Sequence, residues 1–487
     1  MPTQKLPFNT IPYQRNDYPD QYTIDNEWND ELINGYLAPG TSGLELRKRF
    51  GKSLFKDLGT NFGVDGMYYW KRIGALFSAS GGHIYKTTDT SGTTVDITGD
   101  DLLTGYRVSF AESPASSTDA LIYAVNGNDI LYSNGTDSFQ KIGNNAPGAT
   151  HVQFLDTYLL ANRIGTQRFA YSNVGVPLTW SAVDFAGANA AADLLVALWV
   201  KNRQIYLFKE NTMEIWYNDG SSPFSRRTDT FIQTGCYAKY SVADCNGVFI
   251  WLNDNRDVVA LTSPIPEVIS APIKYILNAY DGIADALGDY IVIDRVSFYV
   301  LTLPTANRTF AFNLTTKHWC ELADFNINSS SYRRFSMNCY TWCENWNMHL
   351  IGDPYTGKIY KISSQYDDDA DDYIKMVRRT HSKDDGTQLR KRCNKLTFSF
   401  KRGKGKTQEI SQLDTNAIPH FMLRWKDDDE NWSSVKQINA GRLSEFKRQA
   451  ILNRCGIYRN RVYELSVTDK VPFILYDAEE NVEPLNS

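Results

Sequence analysis

Residues 120–132 read ALIYAVNGNDILY, an apolar run, the polar turn NGND at 126–129, and a second short apolar run. An Asn-Gly pair between two such runs is a strong local signal of a β-hairpin. The same order of strand, polar turn and strand recurs at 247–255 and at 348–357. This part of the chain is therefore predicted to form antiparallel strand pairs.

A strand with an aromatic or β-branched residue follows a polar turn seven times between about residues 80 and 364. These marks centre on Tyr85, Leu131, Ala170, Trp216, Val259, Ala311 and Tyr360. Their spacing of about 40–50 residues is typical of propeller blades. Because a terminal blade can be completed by the opposite end of the domain, the marks predict a six- or seven-bladed β-propeller over 80–364.

Three further regions flank this repeat. Residues 1–79 are predicted to be an N-terminal anchoring segment, with a short helix from Asp25 to about Leu37. The acidic and basic clusters at 365–390 indicate a charged linker. Residues 391–487 contain strands with period 2, such as Leu396–Phe400, which predict a C-terminal β-sandwich-like domain. The fold class is therefore all-β.

Composition supports that class and limits the partners. Aromatic residues make up 13% of the 487 residues, and such rings pack well on half-buried strand surfaces. The formal net charge is -5, so no excess positive charge is present to hold phosphates. Tight non-specific binding of nucleic acids is therefore not expected.

The chain shows no signal peptide and no apolar stretch long enough for a membrane span. Its seven cysteines are odd in number and scattered, which favours reduced thiols over a disulfide framework. We therefore expect synthesis and folding in a cytoplasm and no membrane insertion. Trp216 and Trp251, each in an apolar strand beside a polar turn, are predicted to be buried.

Two groups of residues could bind metals. Cys339 and Cys343, with Cys320 and His349, offer zinc ligands, but one C-x3-C pair is a weak signal and small thiols also pack between rings. The run Asp367–Asp372 could hold calcium, although it lacks the glycine and the ligand spacing of a calcium loop. No metal site or cofactor is predicted.

Catalytic motifs are lacking. The sequence has no G-x-S-x-G, no P-loop and no G-x-G-x-x-G at a strand-to-helix junction. Propeller glycosidases need two carboxylates across a funnel, and no such pair is evident. Residues 425–433 match a sialidase-type turn only as a degenerate copy outside the repeat. The chain is predicted not to be an enzyme and to have no catalytic residue.

Two stretches, residues 200–270 and 454–467, resemble the packaged-DNA stabilisation proteins of short-tailed bacteriophages, the tail hub or nozzle family. In the first, Thr212, Glu214 and Trp216 match a T-x-E-x-aromatic strand, and Gly235 matches the glycine of the returning segment. In the second, an Arg-Gly-x-x-Arg-x-Arg pattern corresponds loosely to Arg454, Gly456, Arg459 and Arg461. The order of these features along most of the chain carries the resemblance.

The resemblance implies a structural protein of the virion tail that is assembled in the host cytoplasm. It implies a hexamer that joins a portal-adaptor ring to tailspikes or tail fibres and to a tail-tip plug or needle. The ring would retain the packaged genome and form part of its exit channel during ejection, and DNA would pass through the channel without specific binding. The basic stretch 401–406 is expected to be an exposed hairpin tip rather than a DNA clamp. The alternatives are a carbohydrate-binding propeller, a propeller glycosidase, or a scaffold propeller of the host cell.

Overall fold

Strands dominate the architecture. They account for 54% of the residues that the structure describes and helices for 3%, so the all-β prediction is confirmed. The computed structural model describes residues 3–9, 31–40, 43–113, 120–143, 145–220, 223–263, 265–384, 386–401, 419–428, 431–441 and 449–485. Across these ranges, no helix is long and apolar enough to span a membrane.

The first strands of the chain do not stay together. They are β1 (Thr3–Lys5), β2 (Glu31–Ile33), β3 (Gly35–Pro39), β4 (Leu44–Lys48) and β5 (Gly51–Asp57). Strands β1 to β4 join sheets of the C-terminal domain, whereas β5 joins a propeller blade. The helix predicted from Asp25 to Leu37 is wrong over 31–37, because tertiary strand pairing there overrides the local pattern. Residue 25 lies outside the described residues.

The first three blades are four-stranded antiparallel sheets in chain order. Blade 1 comprises β6 (Val64–Trp70), β7 (Ala75–Ser80), β8 (His83–Thr87) and β9 (Thr94–Asp96). Blade 2 comprises β10 (Ser109–Glu112), β11 (Ile122–Val125), β12 (Leu131–Ser133) and β13 (Gln140–Lys141). Blade 3 comprises β14 (Val152–Leu155), β15 (Tyr158–Asn162), β16 (Arg168–Asn173) and β17 (Val176–Gly187).

The next three blades follow the same plan. Blade 4 comprises β18 (Leu195–Lys201), β19 (Gln204–Lys209), β20 (Met213–Asn218) and β21 (Phe224–Ile232). Blade 5 comprises β22 (Ala243–Cys245), β23 (Val248–Leu252), β24 (Val258–Ala260) and β25 (Glu267–Val268). Blade 6 comprises β26 (Leu287–Ile293), β27 (Val296–Leu303), β28 (Arg308–Asn313) and β29 (His318–Glu321). A hairpin of β30 (Ala323–Asn326) and β31 (Ser331–Arg334) follows.

The last blade closes the ring with strands from both ends of the propeller. Blade 7 comprises β32 (Cys339–Cys343), β33 (Met348–Gly352), β34 (Lys358–Ser363) and the N-terminal β5, which pairs with β34. The expectation that opposite ends complete one blade therefore holds. The sequence predicts that the propeller starts near residue 80. In the structure it starts earlier, because the blade strands β5 and β6 lie before that residue and β7 ends at it.

Blades 1 to 5 and blade 7 are separate four-stranded sheets, so six independent sheets form a six-bladed arrangement. Blade 6 is the seventh four-stranded unit, and its outer strand continues into a larger sheet. It lies in the same ring, because Leu287 bridges Tyr240 beside blade 5 and the Gly288 N–H donates to the Tyr240 carbonyl at 2.8 Å. The prediction of six or seven blades is confirmed.

The hairpin at 120–132 forms as predicted, with Ala124 paired to Leu131. Its turn needs Gly127, whose φ of 113° is a backbone conformation that L side chains rarely adopt. The hairpins predicted near Leu252 and Gly352 also form. Trp251 is fully buried as predicted, but Trp216 is only half-buried.

Short helical turns connect some of these strands. They are the 3-10 turns Pro7–Asn9, Ala271–Ile273 and Glu344–Trp346 and the helix α1 (Lys274–Asn278).

The remaining strands form the C-terminal domain. They are β35 (Met376–Arg379), β36 (Lys391–Phe400), β37 (His420–Asp427), β38 (Lys436–Asn439), β39 (Ala450–Asn453), β40 (Ile457–Tyr458), β41 (Arg461–Val467) and β42 (Ile474–Pro484). One sheet has the order β3-β4-β42-β36-β39, with β1 on β42 and β40 on β36. The other runs from blade 6 through β2 to β35, β41, β37 and β38. The segment 365–390, predicted as a linker, thus contains an interior strand.

A single hydrophobic core lies between these two sheets. Leu37 and Leu46 from the N-terminal strands share it with Phe398, Tyr463 and Leu475. Within the predicted N-terminal anchoring segment, β1 to β4 are therefore an integral part of the C-terminal sandwich, whereas β5 to β7 are propeller strands. Of the basic stretch 401–406, Lys401 is exposed and the other residues lie outside the described part of the chain.

Candidate functional site

The innermost strands of the propeller surround a cavity of about 500 Å³, which we call the axial cavity. Every blade contributes to its lining. One lining residue from each blade, in blade order, is Met67, Phe110, Gln153, Trp199, Asp244, Asp289 and Tyr340. The axial cavity is thus the point where the seven four-stranded units converge.

An ion pair bridges the axial cavity between blades that are not neighbours in the ring. Arg107, just before blade 2, donates from Nη2 to Oδ1 of Asp289 in blade 6 at 2.7 Å. Arg107 also donates to the carbonyl of Asn338, just before blade 7. Burial raises the pKa of Asp289, and the Arg107 guanidinium acts in the opposite direction. These contacts fix three blades around one guanidinium.

A buried imidazole lines the cavity nearby. His151 lies against the ring of Tyr240, with 5.2 Å between ring centroids, and its Nδ1 is 2.9 Å from Thr150 Oγ1. Burial lowers the pKa of His151 to about 3, so the ring is neutral at pH 7. Among the residues that the structure describes, the Tyr240 hydroxyl and the Trp199 indole N–H have no hydrogen-bond partner.

Two carboxylates that line the cavity have a charged partner within the fold. Asp289 pairs with Arg107 and Asp244 pairs with Lys201, while burial raises the pKa of Glu112. Asp289 and Asp244 are therefore held as structural groups. The cavity is also too small for DNA, because the major groove of a duplex alone is about 12 Å wide.

A second cluster of charges lies where the N-terminal strands, the propeller and the acidic run meet. Arg49 is fully buried and donates to both carboxylate oxygens of Asp369, at 2.9 and 2.5 Å. Lys52 reaches both oxygens of Asp324 at 3.0 Å. Burial opposes ionisation of Asp324, but Lys52 and Arg49 hold its pKa below the ordinary value. We call these four residues the junction cluster.

The junction cluster shows what the acidic run does in the fold. Asp369 is 3% exposed and faces Arg49, while Asp368 pairs with Lys470 at 3.3 Å. The Lys52 N–H also donates to the Asp368 carbonyl at 2.9 Å. In the run that was considered for calcium, Asp368 and Asp369 thus pair with cations of the chain itself, and these contacts tie the propeller to the C-terminal domain.

The residues considered for zinc are divided between two cores. Cys339 and Cys343 are buried on β32 in a core that includes Trp346, whereas Cys320 belongs to the core of the sandwich. His349 lies against Trp342, with 4.2 Å between ring centroids. Within the described ranges, no three His, Cys, Asp or Glu side chains are arranged to hold a metal ion.

The strand motif of the resemblance is part of a buried network in blade 4. Lys209, with no exposed side chain, pairs with Asp193 at 2.7 Å and with Glu214 at 3.3 Å. Thr212 Oγ1 donates to Asp193, and Trp216 Nε1 donates to Glu214 at 3.1 Å. Lys209 and Asp193 were not singled out from the sequence. The only local signal was a lysine ending the apolar run 205–208.

Gly235, the glycine of the same motif, packs against the backbone of blade 4. An added Cβ would lie 2.0 Å from the Glu210 carbonyl oxygen, so no other residue fits without a backbone shift. The Gly235 carbonyl accepts a hydrogen bond from Trp251 Nε1 at 2.8 Å. The motif residues therefore build the contact between blades 4 and 5.

The last arginine of the C-terminal motif also has a structural role. Arg461 has no exposed side chain, donates to Asp427 Oδ2 at 2.9 Å, and lies over the Tyr458 ring at 4.0 Å. In the degenerate sialidase-type turn, Trp432 lies beneath the Arg424 guanidinium at 4.5 Å, while residues 429–430 lie outside the described residues.

A protein-family model matches more than half of the chain. The model of the phage-stabilisation family, described as Bacteriophage P22 Gp10, beta-propeller, matches residues 45–367. The matched range begins in β4 and ends in the acidic run, so it contains all seven four-stranded units. No curated protein matches the chain.

Proposed function

The chain belongs to the phage-stabilisation family of this match, and we propose that it is the hub, or nozzle, of a short phage tail. Membership makes it a structural phage protein that acts with the virion. In the proposed role, six copies form a ring that joins the portal-adaptor ring to tailspikes or tail fibres and to a terminal plug or needle. The ring retains the packaged DNA and later forms part of its exit channel.

The family match carries this proposal, and the axial cavity supports its geometry. The cavity has a volume of about 500 Å³ and is bridged by Arg107 and Asp289, so a duplex has no room on the propeller axis. A DNA channel built from this protein must therefore run between copies. A ring of subunits meets that need.

The stiffness of the fold also suits a part that resists internal DNA pressure. The ring of blades leaves few free strand edges. The junction cluster and the sheet shared by blade 6 and the C-terminal domain join the two domains without an unstructured connection. Force applied at one domain is thereby transmitted to the other through buried contacts.

The net charge supports a channel that does not bind DNA tightly. Each neutralised phosphate adds counterion-release free energy to the bound state, which slows sliding. The formal charge of -5 is consistent with a neutral or repelling wall. Duplex DNA binding by the purified protein should accordingly be weak across about 50–200 mM salt. Tight binding with a steep salt slope, weakened by replacing Lys401, Arg402, Lys404 and Lys406 together, would contradict the passive channel.

Cryo-electron microscopy of purified tails tests the arrangement. The expected result is a ring of six copies with DNA density on the ring axis and none inside any propeller. Labelling the chain at its C-terminus identifies the ring unambiguously. DNA density through an axial cavity, or tails that lack this chain, would overturn the proposal.

A further inference from the structure

Two of the seven cysteines face each other in the C-terminal sandwich. Cys393 lies on β36, and Cys455 lies in the turn between β39 and β40. The Cys455 N–H donates to the Cys393 carbonyl at 2.9 Å, and the Cys393 N–H donates to the Gly456 carbonyl at 3.0 Å. Two residues therefore oppose one, as in a β-bulge. Residues paired by backbone hydrogen bonds in an antiparallel ladder have Cα atoms about 5.5 Å apart, and both cysteine side chains are buried in the core of the sandwich.

Cys339 and Cys343 are the two cysteines nearest to each other in the sequence, but they cannot form a disulfide bond with each other. They lie four positions apart on one strand, β32. At about 3.3 Å per residue their Cα atoms are far beyond the reach of about 4.4–6.8 Å that a disulfide spans. Cys320 instead lies beside the Ala311 carbonyl, and burial raises its pKa to about 12. Cys393 and Cys455 are thus distinguished by their backbone pairing, which places their Cα atoms within that reach.

Local electrostatics divides the roles of the two thiols. The neighbouring Cys393 thiol, together with the Arg461 guanidinium, holds the pKa of Cys455 below its ordinary value. The neighbouring Cys455 thiol, together with burial, raises the pKa of Cys393. Arg461 is fixed beside the turn, since its Nη2 donates to the Cys455 carbonyl at 2.8 Å. Cys455 is therefore the thiol that ionises first, and thiolates are the nucleophiles of disulfide exchange.

The turn gives a route for a reagent. Cys455 is 2% exposed, but Asn453, Arg454, Gly456 and Ile457 around it are exposed. Arg454 and Gly456 have φ values of 60° and 88°, so the turn is a sharp excursion at the sheet surface. Small local openings of such a turn cost less than global unfolding.

We propose that Cys393 and Cys455 are a modification site, a dithiol that closes to a disulfide when the protein leaves the reducing cytoplasm and meets a small-molecule disulfide. The Cys455 thiolate attacks one sulfur of that molecule, its S–S bond breaks, and one small thiolate leaves. Cys393 then loses its proton and attacks the Cys455 sulfur, which releases the second small thiolate. Two protein thiols are oxidised, and one small disulfide is reduced to two thiols.

The disulfide would stabilise the C-terminal sandwich after assembly. It closes a loop on the order of 60 residues, which restricts the unfolded chain and raises the melting temperature. Reduced thiols during synthesis leave the chain free to fold in the cytoplasm, where disulfides are rare. Oxidation then makes the C-terminal domain harder to unfold in a released particle.

The test uses the reduced full-length protein, incubated with oxidised glutathione at pH 8, quenched with acid and mapped by mass spectrometry. We expect a cross-linked peptide pair that contains Cys393 and Cys455 and an intact mass lower by two hydrogen atoms. The melting temperature should rise by several degrees on oxidation and return to its original value after reduction with dithiothreitol. Cys320→Ser is the matched control and should cross-link as the unaltered protein does.

Two results would overturn the inference. One is a stable glutathione adduct on Cys455 with no cross-link in the folded protein. The other is complete protection of both thiols under conditions where exposed thiols of a reference peptide react. The cross-link and the melting temperature are both measured on the unaltered protein. The test therefore does not depend on whether the variants Cys393→Ser and Cys455→Ser fold.

Discussion

Arg107 and Asp289 meet inside the axial cavity of the propeller, with 2.7 Å between the guanidinium Nη2 and the carboxylate Oδ1, although 182 positions separate them in the chain. Their blades are not neighbours in the ring, so the pair holds opposite parts of the propeller together. Removing one partner of a buried pair leaves an uncompensated charge, which is more costly than the loss of the contact alone.

Arg107→Met should therefore lower the free energy of unfolding by about 3–5 kcal/mol at pH 7. The loss should shrink as the pH falls, because burial raises the pKa of Asp289 and its protonation removes the unpaired charge. Urea unfolding at pH 7 and pH 5 measures both effects. The control is Arg203→Ala, since Arg203 is 79% exposed and pairs with Asp156 at 3.2 Å. Equal stability of the two variants would contradict a structural role for the axial ion pair.

Asp369→Asn tests the junction cluster. It removes the charge that faces the buried Arg49, and we expect a loss of about 3–5 kcal/mol in the free energy of unfolding. The control is Asp372→Asn, because Asp372 belongs to the same acidic run but is exposed. If the run instead bound calcium, added calcium would raise the melting temperature and the control would abolish that rise.

Two tryptophans provide a comparison of burial. Trp251→Ala should cost about 3–5 kcal/mol, because the side chain is fully buried and its indole N–H donates to Gly235. Trp216→Ala should cost less, because Trp216 is half-buried. Chemical unfolding of both variants, with far-ultraviolet circular dichroism, gives the order. A larger loss for Trp216 would mean that the blade 4 network depends on that ring more than on its buried ion pairs.

His318 should make the protein sensitive to acid. Its Nε2 accepts the Leu37 N–H at 3.1 Å, which requires a neutral ring, and burial lowers its pKa to about 4. The folded-state pKa lies below the unfolded value of about 6.5, so the unfolded chain binds more protons in between and stability falls as the pH drops from about 6.5 toward 4. From pH 7 to pH 5 this contribution is about 2 kcal/mol.

His318→Gln should lose about that much less stability than the unaltered protein over the same pH range, as measured by urea unfolding at each pH. The exposed His83 supplies the control, since His83→Gln should leave the acid sensitivity unchanged. An unchanged acid sensitivity in His318→Gln would show that His318 is not held neutral.

The hairpins could be predicted because their signals are local. Residues 120–132 contain two apolar runs and the Asn-Gly turn that joins them, and the structure pairs those runs. The closure of the ring by the opposite end was also foreseeable in principle. The identity of the closing strand was not, since Gly51–Asp57 pairs with Lys358–Ser363 and nothing near Gly51 points to so distant a partner.

Buried charges were the main failure of prediction. A run such as Asp367–Asp372 has the pattern of a solvated surface, yet Asp369 is buried because Arg49 neutralises it from 320 positions away. Arg378 is likewise buried, and its guanidinium donates to the carbonyls of Pro7 and Phe8. The helix predicted to reach Leu37 failed for a related reason, because long-range strand pairing decided the conformation.

Genome retention tests the central claim most directly. Heads assembled without this protein, and heads supplied with it in trans, should be compared for DNA that resists nuclease. The account predicts that heads lacking the protein package DNA and then lose it, and that the unaltered protein and Arg203→Ala restore retention. Heads that keep nuclease-resistant DNA equally well without this protein would contradict the account.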